Sequence, residues 1–325
     1  MNQLVDGRWT YGHVGADPDQ GGDYRRQNAG FRNWITPDGA PGPSGRGGFA
    51  AESGRYHLYV SYACPWAHRT LIFRELKGLA RHIDVSVVHP VMGRDGWSFA
   101  TDFPGATGDP LHGADHIRDV YLRADPRMTG KATVPVLWDK AQGTIVSNES
   151  SEIIRMFDSA FDAITGSEVH FWPADLRPAC EAVNDRVYPD FNNGVYRAGF
   201  ATTQAAYDAA VGPVFDTMAW ADDLLSRSRY LTGDRLTEAD WRMFTSAVRF
   251  DTVYHTHFKC NRAWLRDYPH LWGWTRELYQ MPGIAATVRQ DHITHHYYRS
   301  HPDINPFGIV PINPVIDWDE PHGRG

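Results

Sequence analysis

Hydrophobic positions between residues 56 and 157 follow short alternating and helical patterns that predict an α/β unit. Residues 56–61 alternate and are rich in strand formers, whereas the apolar positions of 64–76 recur at helical spacing, with Pro65 suited to the first turn. Further segments favour strands at 83–88, 134–139 and 144–146 and a helix at 148–157. Because a strand, a helix and a strand in this order imply a parallel crossover, we predict a compact α/β sheet domain.

The pattern changes near residue 171. From there to about residue 300 it is helical with almost no strand signal, and Thr237 and Asp240 form a predicted capping box at one helix start. Residues 1–50 have a turn-rich, irregular composition but carry aromatic side chains that a solvated segment has little use for, among them Tyr24, Phe31, Trp34 and Phe49. We therefore predict an N-terminal arm packed on the body (1–50), an α/β domain (51–160), an all-α domain (175–300) and a C-terminal tail (301–325).

Composition excludes several classes of protein. The 325 residues carry 32 Lys and Arg against 39 Asp and Glu, a net charge of −7, and the mild acidity argues against a general nucleic-acid binder. With 42% hydrophobic and 22% charged residues the chain is not of the disordered class. We find no segment that could cross a membrane and no signal peptide in residues 1–11, so we expect a cytoplasmic protein.

Cys64 is the strongest candidate for chemistry. The three cysteines are too few and too widely spaced for a disulfide framework, but Cys64 falls between a predicted strand and a predicted helix. The amides at a helix start favour the thiolate, the nucleophilic form; a buried structural cysteine is the alternative. Because Ala67 stands where a dithiol motif would have its second cysteine, a mixed disulfide on Cys64 must be resolved by an outside thiol.

Two further sites lie at the ends of predicted elements. In a thioredoxin-like arrangement the bond from Val134 to Pro135 is cis, and the valine N–H and C=O can pair with an extended peptide; a trans proline at a strand start is the alternative. Glu149 and Ser150 begin the last predicted helix of this domain, where they can meet an ammonium group and a carboxylate; a plain N-cap is the alternative.

Metal and nucleotide sites are not expected. His292 and His296 are spaced i, i+4, but no third and fourth ligand stands at sensible spacing. No glycine-rich phosphate loop follows a predicted strand.

Taken together, these segments resemble the cysteine-type glutathione transferases, and more closely the glutathionyl-hydroquinone reductases of the Xi class. The matching segments span nearly the whole chain: 54–69, 133–139, 147–155, 192–196, 296–301, 304–306 and 308–311. Omega-class transferases share the Cys-Pro and Val-Pro features but look shorter at both ends.

The resemblance implies a thioredoxin-like domain followed by an all-helical domain, with the active site in the cleft between them. Cys64 would be the catalytic thiol. Glutathione would be held by Trp97, Arg123, Val134, Glu149 and Ser150. Trp97 could instead be a lid or core residue. The glycyl carboxylate could be met by any of four neighbouring basic residues: Arg118, Arg123, Arg127 and Lys131.

The resemblance also implies the reaction. Tyr196 and Tyr297 would bind or protonate the hydroquinone, although Tyr298 could take the place of Tyr297, and isolated tyrosines are more often packing residues. The substrates would be glutathione and glutathionylated aromatic small molecules, and by analogy the protein would be a homodimer. An omega-like thiol transferase or dehydroascorbate reductase is the alternative enzyme, and a non-catalytic glutathione-binding protein is the alternative outside catalysis.

Overall fold

A computed structural model describes residues 2–12, 19 and 21–325 of the chain. The described residues divide into two units. Residues 2–12 and 27–170 form the first, and residues 19, 21–26 and 171–325 form the second. The N-terminal arm therefore contributes to both units.

A four-stranded sheet forms the centre of the first unit. Its strands are β3 (Tyr56–Val60), β4 (Asp84–Val87), β5 (Val136–Asp139) and β6 (Thr144–Ser147), in the order β4-β3-β5-β6. β3 and β4 are parallel, while β5 is antiparallel to both β3 and β6. All five residues of β3 are buried because both faces of the sheet are covered.

Helices complete this α/β layer. The parallel crossover from β3 to β4 is α1 (Pro65–Leu76), which packs against α3 (Ser150–Ser159); α2 (Ile117–Ala124) precedes β5 and α4 (Asp162–Thr165) follows α3. The predicted strands and helices are confirmed with end shifts of up to two residues. The third predicted strand begins later, at Val136, because Pro135 has no N–H to give to a ladder.

Two elements differ from the sequence prediction. α2 falls in a segment interpreted as a long polar loop. The arm, interpreted as irregular, contains a hairpin of β1 (Gln3–Val5) and β2 (Arg8–Thr10). Its turn residues Asp6 and Gly7 both have positive φ, 46° and 73°, the conformation that an Asp-Gly hairpin turn requires.

The second unit is helical. The helices are α5 (Arg177–Val187), α6 (Gly194–Gly199), α7 (Gln204–Leu225), α8 (Glu238–Arg249), α9 (Pro269–Gln280) and α10 (Gln290–Ser300). Two π-helical turns, Tyr188–Asn192 and Phe250–Tyr254, precede α6 and follow α8. The predicted capping box of α8 is confirmed, since Thr237 N–H donates to Asp240 over 3.0 Å.

The arm and the tail are held by specific contacts. In the first unit Phe49 and Ile35 are buried, and Arg32 pairs with Glu152 of α3. In the second unit Glu277 of α9 accepts from Arg324 over 2.7 Å, which fixes the end of the tail. Within the described ranges, no helix is both long and apolar enough to cross a membrane.

Candidate active site

Cys64 lies where β3 leads into α1. It is the N-cap residue of the helix, with extended backbone (φ −79°, ψ 118°), and the first helical hydrogen bond runs from His68 N–H to Cys64 O over 2.9 Å. Its half-buried side chain therefore stands at the amide end of α1, where a thiolate is stabilised. Cys180 and Cys260 are completely buried, and none of the three cysteines forms a disulfide. Burial raises the pKa of Cys260 to about 12, so its thiol stays neutral.

The backbone of Val134 lies beside this thiol. Cys64 Sγ is 3.5 Å from Val134 O, and the peptide bond between Val134 and Pro135 is cis, as predicted. Among the described residues, the Val134 N–H donates to no backbone acceptor. The thiol and an N–H available to an extended peptide are therefore neighbours.

Glu149 and Ser150 stand at the start of α3. Glu149 is the N-cap, and its Oε1 accepts from the N–H of Ser151 over 3.0 Å and from the Ser151 hydroxyl over 2.8 Å. Ser150 is the first residue of the helix and is 4% exposed. The N-cap that the sequence left as the alternative is therefore present, and it leaves Glu149 Oε2 outside the cap. These groups can meet a ligand that carries both an ammonium and a carboxylate.

The basic residues around α2 differ in their surroundings. Arg118 is held in place, because its guanidinium is 2.9 Å from Asp95 Oδ1 and 4.9 Å from the ring of Trp9. Arg123 is exposed in the last turn of α2, and Arg127 is exposed beyond it. Trp97 is 7% exposed, as expected of either a core residue or a closely packed ligand contact.

A cluster of three tyrosine hydroxyls lies in the second unit. Tyr196 of α6 and Tyr297 of α10 are hydrogen-bonded through their hydroxyls, and the Tyr297 hydroxyl is also 3.0 Å from that of Tyr254. Tyr196 is half-buried, whereas Tyr297 and Tyr254 are 1% and 0% exposed. Burial, reinforced by the neighbouring tyrosines, raises the pKa of Tyr297 well above 10, so it remains a hydrogen-bond donor at neutral pH.

Sequence reasoning did not find Tyr254. It ends the π-helical turn Phe250–Tyr254 and belongs to no segment with a chemical signature, so nothing in the sequence marked it. Tyr298, the open alternative to Tyr297, points elsewhere: its hydroxyl is 3.5 Å from Thr252 O. Tyr297 is therefore the member of the pair that reaches Tyr196.

Two buried histidines pack beside Tyr297. His257 Nε2 and His301 Nδ1 are 3.0 Å apart, and both rings contact the Tyr297 ring. Burial lowers the pKa of His257 to about 3, with Lys259 and His296 acting in the same direction. Both imidazoles are neutral at physiological pH, since burial also lowers the pKa of His301 well below 6.5. Within the described part of the chain, no three His, Cys, Asp or Glu side chains are grouped to hold a metal ion.

Two domains of one protein family match the chain. Residues 63–160 match the N-terminal domain of glutathione S-transferases, and residues 204–277 match the C-terminal domain. The chain therefore belongs to the glutathione S-transferase family.

Individual relatives narrow the assignment to a class. The chain is 56% identical to glutathionyl-hydroquinone reductase YqjG of Escherichia coli, over 100% of this chain and 98% of the relative. The glutathione-bound structure of YqjG superposes with a TM-score of 0.92 at 55% identity, covering 99% and 98% of the two chains. A Xi-class transferase from Natrialba magadii gives a TM-score of 0.90 at 50% identity, covering 100% and 96%. An omega-like transferase of Schizosaccharomyces pombe is 46% identical over 93% of this chain and 97% of its own. Within the family, the chain belongs with the glutathionyl-hydroquinone reductases of the Xi class.

Proposed function

We propose that this enzyme reduces glutathionyl-hydroquinones to hydroquinones at the expense of glutathione. The observation that carries the proposal is a half-buried thiol at the N-cap of α1 with Ala67, rather than a second cysteine, three residues later. An enzyme with one reactive thiol needs an outside thiol to complete a reduction. The relatedness to YqjG, named a glutathionyl-hydroquinone reductase, supports the same reaction.

The reaction proceeds in two exchanges at sulfur. The conjugate reacts in its keto form, in which the ring carbon bonded to sulfur carries a hydrogen and one hydroxyl has become a carbonyl. The Cys64 thiolate attacks the glutathione sulfur; an S–S bond forms and the bond from that sulfur to the ring carbon breaks. The electron pair of the broken bond restores the aromatic ring and leaves the negative charge on the former carbonyl oxygen, which takes up one proton as the hydroquinone departs. A second glutathione thiolate then attacks the mixed disulfide, which releases oxidised glutathione and the Cys64 thiolate.

Glutathione is proposed to bind along the edge that carries Cys64. The Val134 N–H and C=O pair with its peptide backbone, and Glu149 and Ser150 meet its γ-glutamyl end. Arg123 is proposed to pair with the glycyl carboxylate, with Arg127 and Lys131 as the alternatives, because Arg118 is already paired with Asp95. Trp97 packs against the bound tripeptide.

The hydroquinone is proposed to bind at Tyr196 and Tyr297. A phenol hydroxyl can donate to a hydroquinone oxygen as negative charge gathers there. Tyr196 is half-buried and hydrogen-bonded to Tyr297, so the pair can present one donor to the substrate while the other orients it. These are the groups that would distinguish an aromatic leaving group from a simple thiol.

Mass spectrometry after a single turnover tests the scheme. With the reduced, hydroquinone form of glutathionyl-menadione and no added glutathione, we expect one glutathione attached to Cys64 and menadiol released in equal amount. Cys64→Ser should form no adduct and lose turnover, because an alcohol cannot form the disulfide, whereas Cys180→Ala serves as the matched control at a buried cysteine. Turnover retained by Cys64→Ser would reject the mechanism.

An omega-like thiol transferase or dehydroascorbate reductase is the second candidate. The 46% identity to the omega-like transferase of S. pombe favours it, and it would use the same thiol. Comparison of kcat/KM for glutathionyl-menadione with kcat/KM for a glutathionylated small thiol separates the two. A higher value for the conjugate supports the reductase, and a higher value for the small thiol supports the transferase.

We propose that the protein forms a homodimer through exposed apolar residues of the C-terminal tail. The tail residues Phe307, Ile309, Ile312 and Val315 are 87%, 68%, 100% and 94% exposed. The segment is nevertheless fixed, because Asn305 donates to Tyr298 O over 2.7 Å and Asn313 donates to Thr294 over 2.6 Å. A fixed row of exposed apolar side chains is typical of an interface.

Light scattering coupled to size-exclusion chromatography tests this interface. We expect a dimer for the native protein and a monomer for the double variant Phe307→Ser/Ile312→Ser. Val169→Ser, at an exposed apolar residue outside the tail, is the control and should stay dimeric. A dimeric double variant would place the interface elsewhere.

Because the reaction consumes reduced glutathione, we propose a cytoplasmic location, which cell fractionation can check.

A further inference from the structure

A short segment of the N-terminal arm, residues 21–26, packs on the helix that carries Tyr196. Asp23 pairs with Arg197 of α6 through two contacts of 3.1 and 2.9 Å, and Thr202 N–H donates to Gly22 O over 3.1 Å. The packing at Gly22 is close, since a Cβ there would stand 2.8 Å from Thr203. The segment is therefore fixed to α6 by charge and to the loop between α6 and α7 by backbone hydrogen bonding and by shape.

This attachment places a positive charge on the ring of Tyr196. The Arg26 guanidinium carbon is 5.2 Å from the centre of the Tyr196 ring, and Arg26 Nε donates to Asn193 Oδ1 at the start of α6 over 3.1 Å. Tyr24 completes the contact: its ring lies 6.4 Å from that of Tyr196, and Arg26 is also 5.5 Å from the Tyr24 ring. Arg26 is thus held in register with Tyr196 rather than extended into solvent.

The proposed reaction develops negative charge that the Arg26 guanidinium can stabilise. When the Cys64 thiolate takes the glutathione sulfur from the keto form of the conjugate, the electron pair of the broken bond restores the aromatic ring, and negative charge gathers on the hydroquinone oxygen until that oxygen takes up a proton. A hydroxyl that donates to this oxygen takes on partial negative charge itself. A cation against the ring of that donor stabilises this charge and strengthens its hydrogen bond.

We propose that Arg26 is a positioning residue for departure of the hydroquinone, acting through Tyr196. This inference rests on the proposed function, since it assumes that Tyr196 faces the leaving group. It assigns part of the N-terminal arm, which lies outside both matched family domains, to the catalytic step. The neighbouring Arg25 offers a contrast, because its side chain is 77% exposed and pairs with Asp19.

The test compares Arg26→Gln, Arg26→Lys and the control Arg25→Gln in the full-length enzyme. Single-turnover rates are measured with glutathione conjugates of hydroquinones that carry no, one or two chlorine atoms. Chlorine stabilises the negative charge of the leaving group, so an enzyme that has lost its own stabilisation should depend more steeply on it. We expect Arg26→Gln to slow the unchlorinated conjugate about tenfold and the dichlorinated one much less. Arg26→Lys should recover part of the loss, and Arg25→Gln should match the native enzyme.

Each other outcome has a definite meaning. An equal loss across the three conjugates, with no recovery in Arg26→Lys, would show that Arg26 only supports the fold and would overturn the inference. Native rates in Arg26→Gln would overturn it as well. If the native enzyme and Arg25→Gln turn over none of the conjugates, the proposed function itself fails, and the inference fails with it.

Discussion

Replacing Tyr297 by Phe removes the middle hydroxyl of the tyrosine cluster and keeps the ring. The Tyr297 hydroxyl joins those of Tyr196 and Tyr254, and the side chain is 1% exposed. A neutral buried hydrogen bond contributes about 0.5–1.5 kcal/mol net, so the loss of two should lower the free energy of unfolding by roughly 1–3 kcal/mol. Loss of a preorganised donor or of the group that orients it should lower kcat about 10²-fold. Urea denaturation measures the first effect, and steady-state turnover of glutathionyl-menadione measures the second.

The adjacent tyrosine supplies the control for this experiment. The Tyr298 hydroxyl is 3.5 Å from Thr252 O and also hydrogen-bonds to the Thr256 side chain, so it belongs to a separate set of contacts. Tyr298→Phe should therefore cost about 0.5–1.5 kcal/mol and leave kcat close to that of the native enzyme. If the two variants lose activity equally, or if Tyr297→Phe keeps full activity, the assignment of the cluster to the leaving group is wrong.

Three further predictions follow from burial and charge. Iodoacetamide should label Cys64 in the folded protein and spare the two buried cysteines until urea is added, as peptide mass mapping can show; equal labelling of all three would contradict their burial. Arg123→Ala should raise KM for glutathione about tenfold, whereas Arg118→Ala should change KM little because the Arg118 guanidinium is paired with Asp95. A larger increase in KM for Arg118→Ala than for Arg123→Ala would assign the glycyl carboxylate to Arg118 instead. Burial lowers the pKa of His257 to about 3. On acidification from pH 7 to pH 5, His257 therefore takes up a proton in the unfolded chain but not in the folded chain. His257 should therefore lower the free energy of unfolding by about 2 kcal/mol between pH 7 and pH 5. Urea denaturation at the two pH values should show a smaller decrease in His257→Asn, and an unchanged decrease in His270→Asn, the control at an exposed histidine.

Local signals predicted most of the first unit. The strand predicted at 56–61, the helix predicted behind Pro65 and the cis bond predicted for the Val-Pro pair each rest on signals from neighbouring residues, and all three are confirmed. The missed hairpin also had a local signal, the Asp6-Gly7 turn, which its turn-rich surroundings concealed. The α2 helix is short and half-exposed, so its apolar pattern is too brief to stand out in a long polar segment.

The tyrosine cluster could not be derived from spacing. Tyr196 and Tyr297 are 101 residues apart, and Tyr254 and Tyr297 are 43 apart, so only the packing of α6, α10 and the π-helical turn brings them together. The resemblance to a family supplied two of the three residues, and the third was missed. The four basic residues near α2 posed the same difficulty, because only the fold shows that Asp95 pairs with Arg118.

We expect the first unit to carry out the exchange at sulfur and the second unit to select the substrate, for a chemical reason. A single thiolate at a helix start is sufficient for exchange between sulfur atoms, so the first unit alone does not select an aromatic conjugate over a glutathionylated thiol. Cleavage of the bond between sulfur and carbon leaves negative charge on an oxygen of the departing hydroquinone, and this charge needs a donor that sulfur exchange does not need. We propose that Tyr196 and Tyr297, with the Arg26 charge against the first of them, supply that donor. Substitutions there should therefore change which substrate is preferred, whereas substitution of Cys64 should abolish every reaction of the enzyme.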